Sequence, residues 1–114
     1  MRVVIAGSRD WSPTFEAIEE AIKPWRTGLT EVVSGGARGA DLTGETWART
    51  QNVAVKRFPA DWRNLGAKAG LVRNQAMARY ADVAIVFWQD QSSGSANLIA
   101  NMAALGKPVQ VGTR

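Results

Sequence analysis

The sequence predicts an α/β fold: a Rossmann-like, three-layer α/β/α arrangement around a parallel five-stranded sheet of order 3-2-1-4-5. Three observations predict it. Short β-branched runs alternate with stretches of helical apolar spacing. Glycine- and serine-rich turns follow several of the runs. The run Val83 to Trp88 is apolar on both faces, as a strand covered from both sides must be. Right-handed crossovers then leave few topologies.

The first strand is Arg2 to Ala6, stopped by the turn-rich Gly7-Ser8-Arg9-Asp10. Ser12 and Pro13 read as an N-cap and first-turn pair, after which Phe15, Ile18, Ile22 and Trp25 recur at helical spacing. Glu16, Glu19 and Glu20 lie early in that helix and Lys23 and Arg26 late, as its dipole favours. Pro24 should kink or end it. Thr30 to Val33 is the second strand, and a helix carrying Leu42 and Trp47 follows the loop Ser34 to Asp41. Val53 to Phe58 is the third strand, Pro59 to Gly66 a polar loop, and Ala67 to Tyr80 a helix with Val72, Ala76 and Tyr80 on one side. Asp82 to Trp88 is a strand at the sheet centre, and Gln89 to Ser95 is a loop. Ala96 to Leu105 is the last helix, Gly106 its C-cap and Pro108 to Val111 the last strand.

A chain of 114 residues suffices for one hydrophobic core, and residues 1–114 read as a single domain. The absence of cysteine excludes a disulfide framework and thiolate chemistry, and the absence of histidine excludes imidazole proton shuttles and the usual nitrogen-ligated metals. No metal and no cofactor is expected. No apolar run is long enough to span a bilayer and no signal-peptide layout is present, so the expected location is cytoplasmic. The net charge of +4 comes from scattered Arg and Lys rather than a basic block, which suits a small anionic ligand as well as a polynucleotide.

Open sheets of this order bind ligands outside the carboxyl ends of the strands where the order reverses, between strands one and four. Ser34, Gly35, Gly36, Ala37, Arg38, Gly39, Ala40 and Asp41 form a glycine-rich strand-to-helix turn whose bared amides can cradle an anion, with Arg38 adding donors. Close packing alone also explains such glycines, and the pattern is neither a Walker loop nor G-x-G-x-x-G. Ser93, Gly94 and Ser95 open the last helix and offer hydroxyls and amides, or simply cap it. Gly7, Ser8 and Arg9 share that rim, and Arg73 and Asn74 stand in the third helix. Trp11, Trp62 and Trp88 fall near the rim, where an aromatic face can stack on a base, whereas Trp25 and Trp47 read as core. Asp10, Asp41, Glu45 and Asp90 are the carboxylates that can face the crevice, Asp41 being better placed as a helix N-cap.

Taken together, Gly-Ser-Arg after strand one, Ser-Gly-Gly-Ala-Arg-Gly-Ala-Asp after strand two, Arg-Asn in helix three and Ser-Gly-Ser before helix four resemble the SLOG superfamily. The likeness covers nearly the whole chain, and within that superfamily the sequence resembles the small single-domain proteins of the DUF2493 type and also the Rossmann-like core of DprA proteins. The LOG phosphoribohydrolases and the nucleotide sensors of bacterial and phage conflict systems are relatives. The resemblance implies a nucleotide-binding Rossmann-like fold that commonly forms homo-oligomers. By position it implies ligand contacts from Gly7, Ser8 and Arg9, from residues 34–41, from Arg73, and from Gly94 and Ser95. One departure stands out: the hydrolases carry an essential Glu where this sequence has Leu98. An apolar side chain there can neither activate water nor stabilise a ribosyl cation.

Binding of a nucleotide or nucleotide-derived signal, for sensing or sequestration, is therefore the leading expectation. The phosphates would sit on the amides of Gly35 to Gly39 and on Ser95, with charge from Arg9, Arg38 and Arg73. The alternatives are hydrolysis of a nucleoside monophosphate, with Asp41 or Glu45 replacing the missing Glu, and single-stranded DNA binding through the basic rim. No membrane partner is expected.

Overall fold

In the computed structural model, which describes residues 1–88 and 93–112, five parallel strands lie in the order β3-β2-β1-β4-β5. The strands are β1 Arg2–Gly7, β2 Glu31–Ser34, β3 Ala54–Arg57, β4 Val83–Phe87 and β5 Val109–Gly112. The helices are α1 Phe15–Ile22, α2 Ala40–Thr50, α3 Trp62–Leu65, α4 Ala69–Tyr80 and α5 Ser93–Ala104. The fold is the expected Rossmann-like one.

Strand alternation builds the three layers. Val3 and Ile5 of β1 point into one core cluster, with Ile18 and Ile22 of α1 and Trp47 and Ala48 of α2. Val4 and Ala6 point into the other, with Met77 and Ala78 of α4 and Leu98 and Met102 of α5. All five residues of β4 are buried, which is why that run has no polar member. Each fully buried Val, Ile or Leu contributes about 1.5–3 kcal/mol by leaving water. Register aligns Val3 with Val32 and Val83, and Gly7 with Phe87, so the carboxyl ends of β1 and β4 finish level.

Helix ends follow local chemistry. Pro24 lies in a 3₁₀ turn, Lys23–Trp25, and α1 stops at Ile22 before it. The N-cap of α1 is not Ser12 but Thr14, whose hydroxyl accepts the Ala17 N–H at 3.1 Å; Ser12 lies too far ahead of the first helical turn to reach it. The segment expected as a plain loop after β3 contains α3, capped by Asp61 accepting from Asn64 N at 3.2 Å. Four residues are too few to show an apolar period. In α4 the buried residues are Ala69, Asn74, Met77 and Ala78, whereas Val72 of the expected stripe is 46% exposed. Lys107 Nζ donates to the carbonyls of Ala78, Arg79 and Ala81 at 2.7–3.0 Å, a cation on the C-terminal end of α4. Among the described residues no helix is long and apolar enough to cross a membrane.

Gly44 is where α2 comes closest to the sheet. A Cβ there would lie 2.6 Å from Ile5 Cγ2, far inside contact distance. Gly44→Ala gains about 1 kcal/mol of helix propensity, but overpacking costs about 1–3 kcal/mol. The expected net result is a loss of roughly 1 kcal/mol in urea denaturation. An unchanged or raised midpoint would show that the layers slide apart to make room.

Candidate functional site

The carboxyl ends of β1 and β4 meet where the strand order reverses, and the predicted rim segments assemble around that point. Beyond β1, Ser8 N donates to Phe87 O at 3.1 Å, which carries the pairing one residue past the strand. Gly7 has no room for a side chain: its Cβ would run into the Phe87 carbonyl and into Ala40. Gly39 adopts φ +83° and packs against the carbonyls of Ser8 and Arg9, which presses the β1 and β2 loops together.

Asp41 holds this junction. It is not the N-cap of α2, because Gly39 occupies that position. Instead its buried carboxylate turns back and accepts the Ala37 N–H at 3.3 Å, with the N–H groups of Gly7 and Gly35 also in reach and Arg73 facing it. Burial raises its pKa from the usual 3.8 to about 6, and those amides and Arg73 only partly offset the effect. Gly36 N donates to Ser34 Oγ at 3.0 Å. The glycine-loop amides at residues 35–37, expected to cradle a phosphate, are therefore directed at groups of the chain itself.

Glu45, one turn further along α2, does not face the crevice. It is 1% exposed and accepts from Ser34 Oγ at 2.6 Å, from Arg57 Nε at 3.0 Å and from Arg57 Nη2 at 2.6 Å. Arg49 adds a contact at 3.3 Å. Burial acts to raise its pKa, but the bonds from Arg57 and Ser34 outweigh it and hold the carboxylate below its ordinary value. Glu45 thus ties the ends of β2 and β3 together and is not placed to act on a ligand.

Arg73 and Asn74 extend the frame across the rim. Arg73 Nη1 donates to Gly35 O at 2.9 Å and its Nε to Asn74 Oδ1 at 3.0 Å. Asn74 Nδ2 in turn donates to Gly94 O and Asn97 Oδ1, both at 3.1 Å, which fixes the first turn of α5. Arg73 is therefore not the solvated surface residue that its mid-helix place suggests.

These segments enclose a cleft of about 680 Å³. Residues 7–10, Ala37, Asp41, Arg73 and Asn74 line it, with Ser93, Gly94 and Ser95 at the α5 end and Met77 and Leu98 contributing apolar wall. Ser93 and Gly94 are exposed there, and Ser95 is buried. Trp62 of α3 borders the cleft at 53% exposure, the one expected rim tryptophan that presents an open face. Trp11 is buried, edge-on to Phe87 at 5.6 Å, and Trp88 packs against the second core cluster. Trp47 is core, and Trp25 packs partly buried against it, as expected. Leu98 belongs to the core, so no carboxylate stands at that position. Asp90, and the part of the expected last loop over residues 89–92, lie outside the described residues. Among the described residues no group of three or more His, Cys, Asp and Glu is placed to hold a metal ion.

Arg38 and Asp10 lie on the outer rim in a loose pair at 3.8 Å, with Arg38 75% exposed. Sequence reasoning missed Arg57, which lines a second cleft beside the first. The available signal was a basic residue ending a strand next to the glycine loop.

The proton on Asp41 makes stability depend on pH. Its pKa is higher folded than unfolded, so the folded state binds the proton more tightly and stability falls as pH rises from about 4 to about 6. Relative to Asp41→Asn, the wild type should lose about 2 kcal/mol between pH 4 and pH 7, read from denaturation curves. Parallel curves for the two proteins would place the proton elsewhere.

Residues 1–65 match the family described as YspA, cpYpsA-related SLOG. The Gene 61 protein of Mycobacterium phage D29 is 38% identical over 117 residues, covering 95% of this chain and 93% of that protein. Among solved structures, DNA processing protein A (DprA) of Streptococcus pneumoniae superposes with TM-score 0.78 at 18% identity, covering 96% of this chain and 49% of that one. DNA processing protein A of Helicobacter pylori, solved for its single-stranded DNA binding mode, gives TM-score 0.65 at 21% identity over 97% of this chain and 64% of that one. At such identities the two structures share the fold, and this chain spans only about half the length of the first. The phage relative matches along almost its whole length and the family match spans the glycine-bearing segments that follow β1 and β2; the chain belongs to the YspA, cpYpsA-related SLOG family.

Proposed function

We propose that the chain binds a nucleotide or a nucleotide-derived small molecule in the cleft at the switch point. The observation that carries this reading is the convergence of Arg9, Arg73 and the first turn of α5 on one cleft of about 680 Å³, a size that suits a small organic ligand. The N-terminus of a twelve-residue helix favours an anion. Asn74 holds that turn in place before any ligand arrives. The phosphate belongs at residues 93–95 and the arginines rather than on the amides of residues 35–37, which Asp41 and Ser34 already engage. Trp62 offers a stacking face for a base, and Leu71 adds apolar wall. With Leu98 in the core and Glu45 sealed behind Arg57, the site reads as one that binds rather than hydrolyses.

Single-stranded DNA is a second reading, favoured by a specific observation: a further cleft adjoins the first and is lined by Arg38 and Arg57 as well as Arg9 and Arg73. The Helicobacter pylori neighbour is a single-stranded DNA binder.

Titration with nucleoside mono- and diphosphates, ADP-ribose-like and cyclic nucleotides tests the first reading by melting. Ligand at a hundred times its dissociation constant adds ~2.7 kcal/mol, several degrees for a domain of this size. A Cβ at Gly94 meets open space, so Gly94→Asp should keep stability within about 0.5 kcal/mol while its carboxylate repels the phosphate and removes the shift. No shift with any nucleotide overturns the reading. DNA binding instead predicts that log K falls by about 0.7 per neutralised phosphate for each decade of salt.

A further inference from the structure

We propose that the cleft bounded by Arg38 and Arg57 is a second anion subsite, so that the ligand carries two separated phosphate groups, one at α5 and one here. The proposal rests on the nucleotide reading and narrows it from nucleotides in general to those phosphorylated at two points.

The second cleft measures about 500 Å³. Arg9, Arg38, Arg57 and Arg73 line it, and among the described residues no carboxylate does, whereas the first cleft includes Asp10 and Asp41. The carboxylates that pair with these guanidinium groups, Glu45 behind Arg57, Asp10 beside Arg38 and Asp41 beside Arg73, lie outside this lining, and four forks turned to one cleft suit a phosphate or phosphodiester oxygen better than a neutral group. Two of these arginines are held in position by the chain. The two bonds from Arg57 to Glu45 fix its guanidinium, and its side chain lies across Gly36, where a Cβ would come within 2.9 Å of Arg57 Cδ. Arg73 is fixed by the Gly35 carbonyl and by Asn74. Arg38 has only a loose, exposed contact with Asp10, which leaves it able to turn onto an incoming anion.

The clefts are neighbours, not separate sites. Arg9, Ala37, Trp62 and Arg73 line both, so one ligand can cross from one to the other over this shared wall. A mononucleotide would occupy the switch-point cleft and leave the Arg38 and Arg57 side unused. A nucleoside phosphorylated at two positions, or two linked nucleotides, reaches both. Successive phosphates of single-stranded DNA present the same chemistry.

The test is calorimetric titration with the four deoxynucleoside 5′-monophosphates, the corresponding 3′,5′-bisphosphates, and oligothymidylates of increasing length. It compares the wild type with Arg38→Glu, whose exposed side chain lines only the second cleft. The bisphosphate of the preferred base should bind about tenfold more tightly than its monophosphate, the gain expected of one further charge-assisted contact. Arg38→Glu should abolish that gain, weakening the bisphosphate about tenfold more than it weakens the monophosphate. Ala60→Asp, which sets a carboxylate in the same cleft, should act likewise. Oligothymidylate affinity that levels off after two phosphates assigns the subsite to a small ligand, and affinity that keeps climbing assigns it to DNA. A bisphosphate no tighter than its monophosphate, or a gain that survives both substitutions, overturns the second subsite alone. Failure of every monophosphate, bisphosphate and oligonucleotide to bind overturns the nucleotide reading and the subsite with it.

Discussion

A single buried carboxylate organises the rim. Asp41 sits in the first turn of α2, accepts from Ala37, lies within reach of the Gly7 and Gly35 amides, and faces Arg73. Those partners come from the ends of β1 and β2 and from α4, so the group joins three segments that are otherwise distant in sequence. A helix N-terminus beside a glycine loop attracts an anion. In this chain the anion is supplied internally, and its charge is only partly compensated, as the pKa near 6 records. The loop is thereby shaped by the chain's own groups, and the arginines and the start of α5 remain turned to the cleft.

The contrast between Asp41 and Glu45 shows how neighbours on one helix acquire opposite properties. Both are buried. Glu45 receives a two-pronged Arg57 and the Ser34 hydroxyl, and the low local dielectric then strengthens the pairing. Asp41 receives main-chain dipoles and an Arg73 whose hydrogen bonds go to Gly35 and Asn74, so desolvation prevails. Removing Arg57 would strip the buried Glu45 carboxylate of its two-pronged partner, which is costly, whereas Arg57 itself is half exposed. Splayed pKa values often mark acid and base partners in catalysis. Here the low member is locked between strands, and the difference serves architecture.

Sequence patterns disclosed the architecture because packing rules act locally. The alternation of β-branched runs with helical spacing, the all-apolar Val83–Phe87 and right-handed crossovers led to the strand order, and Pro24 was open to a kink or an end until the helix proved to stop at Ile22. The candidate site was legible as a neighbourhood: residues 7–9, 35–38, Asp41, 73–74 and 93–95 line the two adjoining clefts, whereas Ser34, Gly39 and Ala40 line neither. Direction was not legible. Whether a glycine-loop amide points outward to a ligand or inward depends on where the Asp41 side chain turns, and spacing alone allowed it to be a simple N-cap. Trp11 was similarly ambiguous, since a rim aromatic can face solvent or seal the end of β4, and Phe87 supplied the partner that buried it. Arg57 escaped notice because its meaning arises only when β3 pairs beside β2 and brings it over Gly36.

Leu98 shows how far a shared fold constrains chemistry. Its place one turn after Ser95 resembles the position of the hydrolase carboxylate, and the first turn of α5 borders the cleft just as such a mechanism needs. Yet its side chain packs with Val86, Met77 and Met102 in the second core cluster. A carboxylate at that point would have to be desolvated without a partner, a cost that only a reaction or a neighbouring cation repays. The chain fills the position with an apolar side chain, and the charge at this edge of the sheet is carried by the arginines that line the two clefts. Sheet order and layer packing are therefore common property of the fold, whereas the chemistry open to the cleft depends on the side chains that line it, Leu98 among them.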